Sequence, residues 1–90
     1  MTKKKKSPVS QRLREARVES DLSQKALGIK AGIDQFSASV RMNQYETDKH
    51  APDYLTVKRI AKVLKMPTAF FYCDDDELAD VIKKWARKKK

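Results

Sequence analysis

The chain has 90 residues, of which 40% are hydrophobic and 37% charged, and its formal net charge is +9. This length suits one small domain, and only two Gly and three Pro favour packed helices over a sandwich of short strands. A single Cys and a single His exclude an internal disulfide and a zinc site built from such ligands, and no apolar run approaches the roughly 20 residues of a membrane span. We therefore expect a cytoplasmic protein without cofactor or metal.

The first predicted segment, residues 1–9, is a flexible basic arm because it contains four consecutive lysines. Charge is uneven along the rest of the chain as well: residues 1–17 carry +6, residues 74–82 carry −5 and residues 83–90 carry +6. Basic clusters at both ends favour a polyanionic partner, which is nucleic acid or an anionic membrane surface. Tails that only increase solubility are the alternative.

Residues 10–73 are predicted to form one helical domain. Its first helix should start at a residue between Pro8 and Ser10, and its apolar face is formed by Val9, Leu13 and Ala16. Arg12 is expected to point mainly away from that face. The spacing therefore predicts an amphipathic helix that covers the core with one side.

A glycine turn is predicted between the second and third helices. Ser23 is placed to cap the free backbone N–H groups of helix 2, which should run to about Ala31. Gly32 then supplies the left-handed conformation that ends a helix, and helix 3 should start at about Asp34 or Gln35. Two short helices joined in this way are typical of a helix-turn-helix motif.

Helix 3 is predicted to have two different faces and to end at Glu46. With Met42 directed inward, a spacing of 100° per residue places Ala38, Tyr45 and Glu46 within about 60° of it. The opposite face holds hydrogen-bonding groups and one apolar side chain, and consists of Ser37, Val40, Gln44 and Thr47, flanked by Arg41 and Asn43. Such a face has the groups needed to contact base edges.

Proline residues introduce the next two helices. Pro52 marks the start of helix 4, and Pro67 opens a short fifth helix. Residues 74–90 are predicted to form an additional C-terminal amphipathic helix with a basic tail, whose apolar residues are Leu78, Val81, Ile82 and Trp85. This apolar face has two possible roles, which are self-association and packing against its own domain.

The acidic run at residues 74–77 has two interpretations. Clustered carboxylates suit a hard divalent cation, but the run lacks the spacing and the glycine of a calcium-binding loop. Negative charge at the start of a helix, where it is stabilised by the helix dipole, is the simpler explanation.

An ordered series of short motifs resembles one family of proteins. The series consists of residues 12–17 (Arg-Leu-Arg-Glu-Ala-Arg), 22–27 (Leu-Ser-Gln-Lys-Ala-Leu), 31–33 (Ala-Gly-Ile), 42–46 (Met-Asn-Gln-Tyr-Glu), Pro52 and 60–64 (Ile-Ala-Lys-Val-Leu). Together they resemble the XRE family of transcriptional regulators, which includes Cro-like and lambda-repressor-like proteins. The resemblance covers residues 12–72. It implies an all-α, five-helix domain that commonly binds DNA operators as a dimer.

The resemblance also implies roles for individual residues. Gln24 matches a helix 2 glutamine that contacts the DNA backbone, and Asn43 and Gln44 match positions that face the major groove. Arg17 and Glu46 match a pair that bridges helices 1 and 3. We expect this pair to be a hydrogen-bonded ion pair, although two separate solvated charges are the alternative.

The sequence departs from the family pattern at three places. The stretch from Gly32 to Glu46 is about four residues longer than usual, a little more than one helical turn, so residues 35–37 belong either to helix 3 or to a longer turn. Asp21 and the pair Thr47-Asp48 stand where glycine is common, and Asp is among the residues that tolerate positive φ.

We therefore expect a non-enzymatic regulator, most simply a repressor, that binds a palindromic double-stranded operator as a possible homodimer and does not bind membranes. The residues expected to face bases are Ser37, Val40, Arg41, Asn43 and Gln44, and those expected to face phosphates are Ser23, Gln24, Thr47, Lys49 and His50. The main alternative is a protein-interaction module, such as an antitoxin-like partner with secondary DNA binding. A structured-RNA binder is a third possibility, which the missing aromatic stacking platform disfavours.

Overall fold

The computed structural model describes residues 7–89, and within this range the chain forms helices and no strand. The helices are α1 (Val9–Glu19), α2 (Gln24–Lys30), α3 (Ala38–Glu46), α4 (Tyr54–Val63), α5 (Thr68–Phe71) and α6 (Asp76–Lys88). The prediction of a five-helix helix-turn-helix domain with one additional C-terminal helix is confirmed. None of the helices in the described range is long and apolar enough to cross a membrane.

The predicted N-terminal arm lies mostly outside the described residues, because residues 1–6 are not among them, and neither is Lys90 in the basic tail. Ser7 and Pro8 lead into α1. Val9, the last residue of the predicted arm segment, also belongs to the predicted apolar face of the first helix, and it is the first residue of α1 and buried in the core.

Local capping explains where several helices begin. The side chains of Ser23, Asp53 and Asp75 each accept a hydrogen bond from a backbone N–H three residues later, at distances of 2.9, 2.8 and 3.0 Å. These bonds satisfy N–H groups that have no partner inside the helix. The predicted cap at Ser23 is confirmed, and the acidic run contributes the cap of α6 through Asp75.

Left-handed backbone conformations mark the turns between the helices. Gly32 has φ +93°, which confirms the predicted turn after α2. Asp21 and Asp48, at the other two departures from the family pattern, have φ values of 59° and 64°. Aspartate at these positions therefore adopts the conformation for which glycine is usually required.

One core joins all the helices. The largest side chains that are completely buried come from α1 through α5 and are Leu13, Leu27, Met42, Val57, Ile60, Phe70 and Phe71. The two phenylalanines meet edge to face, with ring centroids 5.2 Å apart. From α6, Ala79 is buried with this core and Ile82 is partly buried against it.

The helices α2 and α3 approach each other closely at Gly28. A Cβ atom added at this glycine would lie 2.8 Å from Cβ of Ala38 and 3.1 Å from the Ala38 carbonyl oxygen. The first distance is shorter than van der Waals contact allows. A glycine in the middle of a helix costs about 0.5–1 kcal/mol relative to alanine. Close packing of α3 on α2 explains why the position carries glycine.

The predicted start of helix 3 at Asp34 or Gln35 is wrong, because α3 begins at Ala38. The preceding residues form a turn in which the Asp34 carboxylate accepts a hydrogen bond from the Phe36 backbone N–H at 3.0 Å. The additional residues therefore lengthen the turn and not the helix. The predicted inner face of helix 3 is correct, since Ala38, Met42 and Tyr45 are buried.

The expectation that Arg12 points away from the core is also wrong. Arg12 is only 3% exposed. Its guanidinium donates to the carbonyl of Cys73 at 2.9 Å and to the carboxylate of Asp76 at 2.9 Å. The same group lies over the ring of Phe70, 5.9 Å from its centroid. Arg12 therefore holds the start of α6 against α1.

The last helix packs on its own domain with one side only. Near its C-terminal half, Lys83 and Arg87 form ion pairs with Glu19 of α1 at 2.8 and 2.9 Å. The other side carries three apolar residues that are more than half exposed, and we call it the α6 apolar face: Leu78, Val81 and Trp85. The helix thus folds back on its domain and still presents apolar surface to solvent.

Candidate nucleic-acid interface

The outer face of α3 is the candidate site, and α1 and α2 determine which side of α3 is outside. Burial of Met42 on the inner side directs Val40, Asn43 and Thr47 to solvent, while Gln44 is half-buried. Val40 is 60% exposed and is the apolar member of this outer face. The surface therefore combines polar and apolar groups along one exposed stripe.

Two side-chain amides on this stripe have no protein partner within residues 7–89. The side chains of Asn43 and Gln44 form no hydrogen bond there, whereas the backbone carbonyls of both residues are used in the turn after α3. An amide carries two donors and one acceptor with two lone pairs. Both side chains can therefore bind an external ligand without first breaking an internal bond.

An ion pair beneath the stripe fixes the orientation of α3. Arg17 of α1 donates to both carboxylate oxygens of Glu46, through Nε and through Nη2, the latter at 3.1 Å. The Glu46 side chain is only 3% exposed and the Arg17 side chain 14%. Arg17 also donates to the carbonyl of Leu22 at 2.8 Å, so that one guanidinium connects α1, the next turn and α3.

Gln24 is part of the same network. Its side-chain amide donates to Glu46 at 3.1 Å. The residue lies at the first position of α2, so the ion pair is extended to a third helix. One N–H and the carbonyl oxygen of this amide are left for a ligand, which restricts any contact with a phosphate to the remaining N–H.

Arg41 has a hydrogen-bond partner on its own helix. Its guanidinium donates to the hydroxyl of Tyr45 at 3.0 Å. The pKa of Asp53, at the start of α4, is lowered first by the side-chain and backbone hydrogen bonds of Thr56, and further by the charges of Arg59 and Arg41. The Arg41 side chain is therefore engaged within α3, unlike the side-chain amides of Asn43 and Gln44.

The C-terminal end of α3 is closed by a compact turn. The hydroxyl of Thr47 donates to the carbonyl of Asn43 at 2.8 Å, and the backbone N–H groups of Lys49 and His50 donate to the carbonyl of Gln44 at 2.9 and 3.3 Å. The side chains of Lys49 and His50 are exposed. The turn thus holds the side chains of Lys49 and His50 next to the exposed stripe of α3.

The two serines of the predicted site lie at helix starts. Ser23 is exposed, and its hydroxyl oxygen accepts from Ala26 N. Ser37 precedes α3, and its hydroxyl donates to the carbonyl of Asp34 at 3.4 Å. The structure thus gathers the predicted residues along α3 and at its two ends, with Ser23 and Gln24 at the start of α2.

One solved structure relates the chain to a named protein. The crystal structure of the transcriptional regulator BswR superposes on it with a TM-score of 0.81 and 48% sequence identity, over 86% of this chain and 76% of the BswR chain. The chain belongs to the same family as BswR. No protein-family model and no curated protein matches the sequence. The likeness to BswR supports a role in transcriptional regulation.

Two exposed residues at the N-terminal end of α3 are not among the residues predicted to contact DNA in this relative of BswR. Phe36 is 88% exposed in the turn before the helix, and Ser39 is exposed in the first helical turn. Phe36 does not fit the spacing of the inward-facing residues Ala38, Met42 and Tyr45, which is the signal that could have placed it outside the core. Within residues 7–89, no group of His, Cys, Asp and Glu is placed to hold a metal ion.

Proposed function

We propose that this chain is a sequence-specific double-stranded DNA-binding regulator of the XRE type, with α3 in the major groove. The observation that carries the proposal is the pair of side-chain amides on Asn43 and Gln44, which have no protein partner in the described part of the chain. Asn and Gln amides form paired hydrogen bonds with adenine in the major groove. The function needs no enzymatic chemistry, and we place it in the cytoplasm.

A base-contacting helix must be held rigidly, and the environment of α3 supports this requirement. Glu46 is fixed by Arg17 and Gln24, and Ala38 is packed against Gly28 at the other end of the helix. In this proposal Ser37, Val40 and Arg41 complete the contacts with bases. A helix whose backbone is held at both ends does not need to be ordered on binding, which lowers the entropic cost of the complex.

Contacts with phosphates are assigned to residues at the ends of the motif. Lys49 and His50 extend from the turn after α3, and Ser23, Gln24 and Thr47 supply hydrogen-bonding groups on either side. Such contacts position a protein on the duplex, whereas contacts with bases determine the sequence that is bound. The lysines at positions 3–6, outside the described residues, would add affinity for any DNA.

We further propose that the protein binds a palindromic operator as a homodimer and acts as a repressor. The α6 apolar face supplies exposed apolar surface for association of two copies, and two-fold symmetry of the protein requires a two-fold symmetric site. A protomer is 41 Å along its longest axis, slightly more than one DNA turn of about 34 Å. A dimer of this size bound within a promoter would exclude a polymerase, which is the mode of repression that we propose.

The experiment is selection of bound sites from a random DNA pool, followed by comparison of two glutamine variants. Gln44→Ala should weaken binding to the selected site by about 1–3 kcal/mol and leave binding to random DNA nearly unchanged. Gln11→Ala, a half-buried glutamine on α1, is the matched control and should bind both DNAs like the unaltered protein. Removing the lysines at positions 3–6 should weaken binding to both DNAs and reduce the salt dependence by about 0.9 per lost phosphate contact.

Two outcomes would contradict the proposal. If Gln44→Ala lost affinity for selected and random DNA equally, α3 would not determine the sequence that is bound. If no sequence were enriched and a specific protein copurified tightly, the antitoxin-like interaction module would be the better description.

A further inference from the structure

The turn between α2 and α3 presents a phenylalanine to solvent. Phe36 is 88% exposed, whereas the other exposed large apolar residues in the described range are 43–60% exposed. Phenylalanine is among the residues most often buried. Nothing in residues 7–89 covers this ring, so a second molecule is the natural candidate to do so.

The exposed Phe36 lies in a turn whose backbone is held by hydrogen bonds. On the N-terminal side of the ring, the Asp34 carboxylate accepts a hydrogen bond from the Phe36 backbone N–H at 3.0 Å. The Asp34 backbone carbonyl accepts a second one from the Ser37 N–H at 3.0 Å. On its C-terminal side, the Ser37 carbonyl accepts from Arg41 N at 2.9 Å, within α3. The backbone on both sides of the ring is therefore fixed, and the ring is held outside the domain.

The position of the turn relates the ring to the candidate interface. Phe36 lies two residues before Ala38, the first residue of α3, and the exposed Val40 follows in the first turn of that helix. Residues at the N-terminal end of a recognition helix are those that reach base edges in the major groove. The apolar groups at this end of α3 complement the amides of Asn43 and Gln44 farther along.

We propose that Phe36 contacts the C5 methyl group of a thymine in the major groove and thereby determines sequence preference at that position. This proposal rests on the proposed function of α3. The thymine methyl is the apolar group that the major groove offers, and phenylalanine is one of the side chains that contact it.

The surroundings of the ring favour this ligand over a protein. Its neighbours Gln35, Ser37 and Ser39 are polar, so that Val40 is the one other exposed apolar side chain near it in the chain. A protein interface needs about 800 Å² per partner, which a single ring in a polar environment does not supply. A methyl group set among polar base edges matches such a ring in size and in environment.

The test uses the full chain and the selected DNA site. Each thymine is replaced in turn by deoxyuridine, which removes the methyl group and keeps the base pair. When deoxyuridine replaces the thymine that Phe36 contacts in a half-site, the affinity of the unaltered protein should fall about fourfold. This factor corresponds to the free energy of burying one methyl group. Phe36→Ala should lose affinity for the thymine site and show no further loss with deoxyuridine at that position.

Two controls assign the effect to the ring. Val18→Ala removes another largely exposed apolar side chain, on α1, and should retain the full response to deoxyuridine. Val40→Ala should also retain the response at the position assigned to Phe36. Circular dichroism should show the same helix content in all variants, because none of these side chains is buried.

The proposal is overturned if Phe36→Ala responds to every deoxyuridine as the unaltered protein does. It is also overturned if Phe36→Ala changes the sedimentation of the free protein without changing that response, since the ring would then serve a protein interface. In both cases the loss of specificity in Gln44→Ala would persist. Failure of Gln44→Ala to show that loss would instead contradict the proposed function itself, and this inference with it.

Discussion

Alanine substitutions at Arg17 and Glu46 test how the buried ion pair holds α3, and the two substitutions should differ in cost. In Arg17→Ala, the Glu46 carboxylate, whose side chain is 3% exposed, keeps Gln24 as its remaining partner among the bonds described. Breaking a buried pair by removal of one partner costs about 3–5 kcal/mol. In Glu46→Ala, the guanidinium keeps the Leu22 carbonyl and has better access to water, so we expect about 2–3 kcal/mol.

The double variant Arg17→Ala/Glu46→Ala should cost less than the sum of the single costs, because it leaves neither charge buried without its partner. A non-additivity of at least about 1 kcal/mol is expected for groups in direct contact. The free energy of unfolding is obtained from urea titrations at constant pH, followed by circular dichroism. Arg14→Ala, which removes an exposed arginine from the same helix, is the matched control and should cost less than about 0.5 kcal/mol. Additive costs, or a smaller cost for Arg17→Ala than for Glu46→Ala, would refute the reasoning.

Three further measurements address other parts of the fold. Gly28→Ala should lower the free energy of unfolding by about 1–3 kcal/mol in urea titrations, although alanine has the better helix propensity, because the new Cβ would lie 2.8 Å from the Cβ of Ala38. A stabilised variant would contradict the close approach of α2 and α3. Hydrogen bonds from Thr56 lower the pKa of Asp53, so its stabilisation is present above the ordinary value of 3.8 and is lost as pH falls through the lower folded-state pKa. Asp53→Asn, which keeps a capping side chain, should therefore make the thermal midpoint less dependent on pH below about pH 4, and an unchanged dependence would count against this role. Serine at all three positions of the α6 apolar face should abolish self-association in sedimentation at tens of micromolar protein, whereas Val18→Ser should not; a monomeric unaltered protein would disprove the dimer.

The features that could be predicted from the sequence are those with local causes. Ser23 as a cap and Gly32 as the end of α2 follow from the backbone chemistry of helix ends. The inner face of α3 follows from the regular spacing of Ala38 and Met42. The position of Gln44 on the outer stripe is a consequence of the same periodicity.

The start of α3 could not be predicted because Asp34 is compatible with two local structures. Its side chain can cap a helix or accept from the N–H two residues later in a turn, and the structure has the second arrangement. The close contact between Gly28 and Ala38 fixes where α3 meets α2, and it joins residues ten positions apart. Residues 35–37 are left on the outside as a consequence of that contact.

The position of the Arg12 side chain could not be predicted from the sequence either. Arg12 lies 60° from Val9 on the helical wheel of α1, at the edge of the buried face, and its charge favoured the prediction that it points to solvent. The groups that decide its position are the carbonyl of Cys73 and the carboxylate of Asp76, more than sixty residues away. Similarly, nothing local indicated that Gln24 would donate to Glu46.

The lengthened turn before α3 has a consequence for how such proteins diverge. Because Gly28 and Ala38 already fix the packing of α3, residues 35 and 36 are exposed and contribute no side chain to the core. Substitutions at exposed sites usually change stability by less than about 0.5 kcal/mol. Variation at these two positions should therefore cost little folding stability, and under the proposal that Phe36 contacts a base, single mutations there would change the DNA sequence that is preferred.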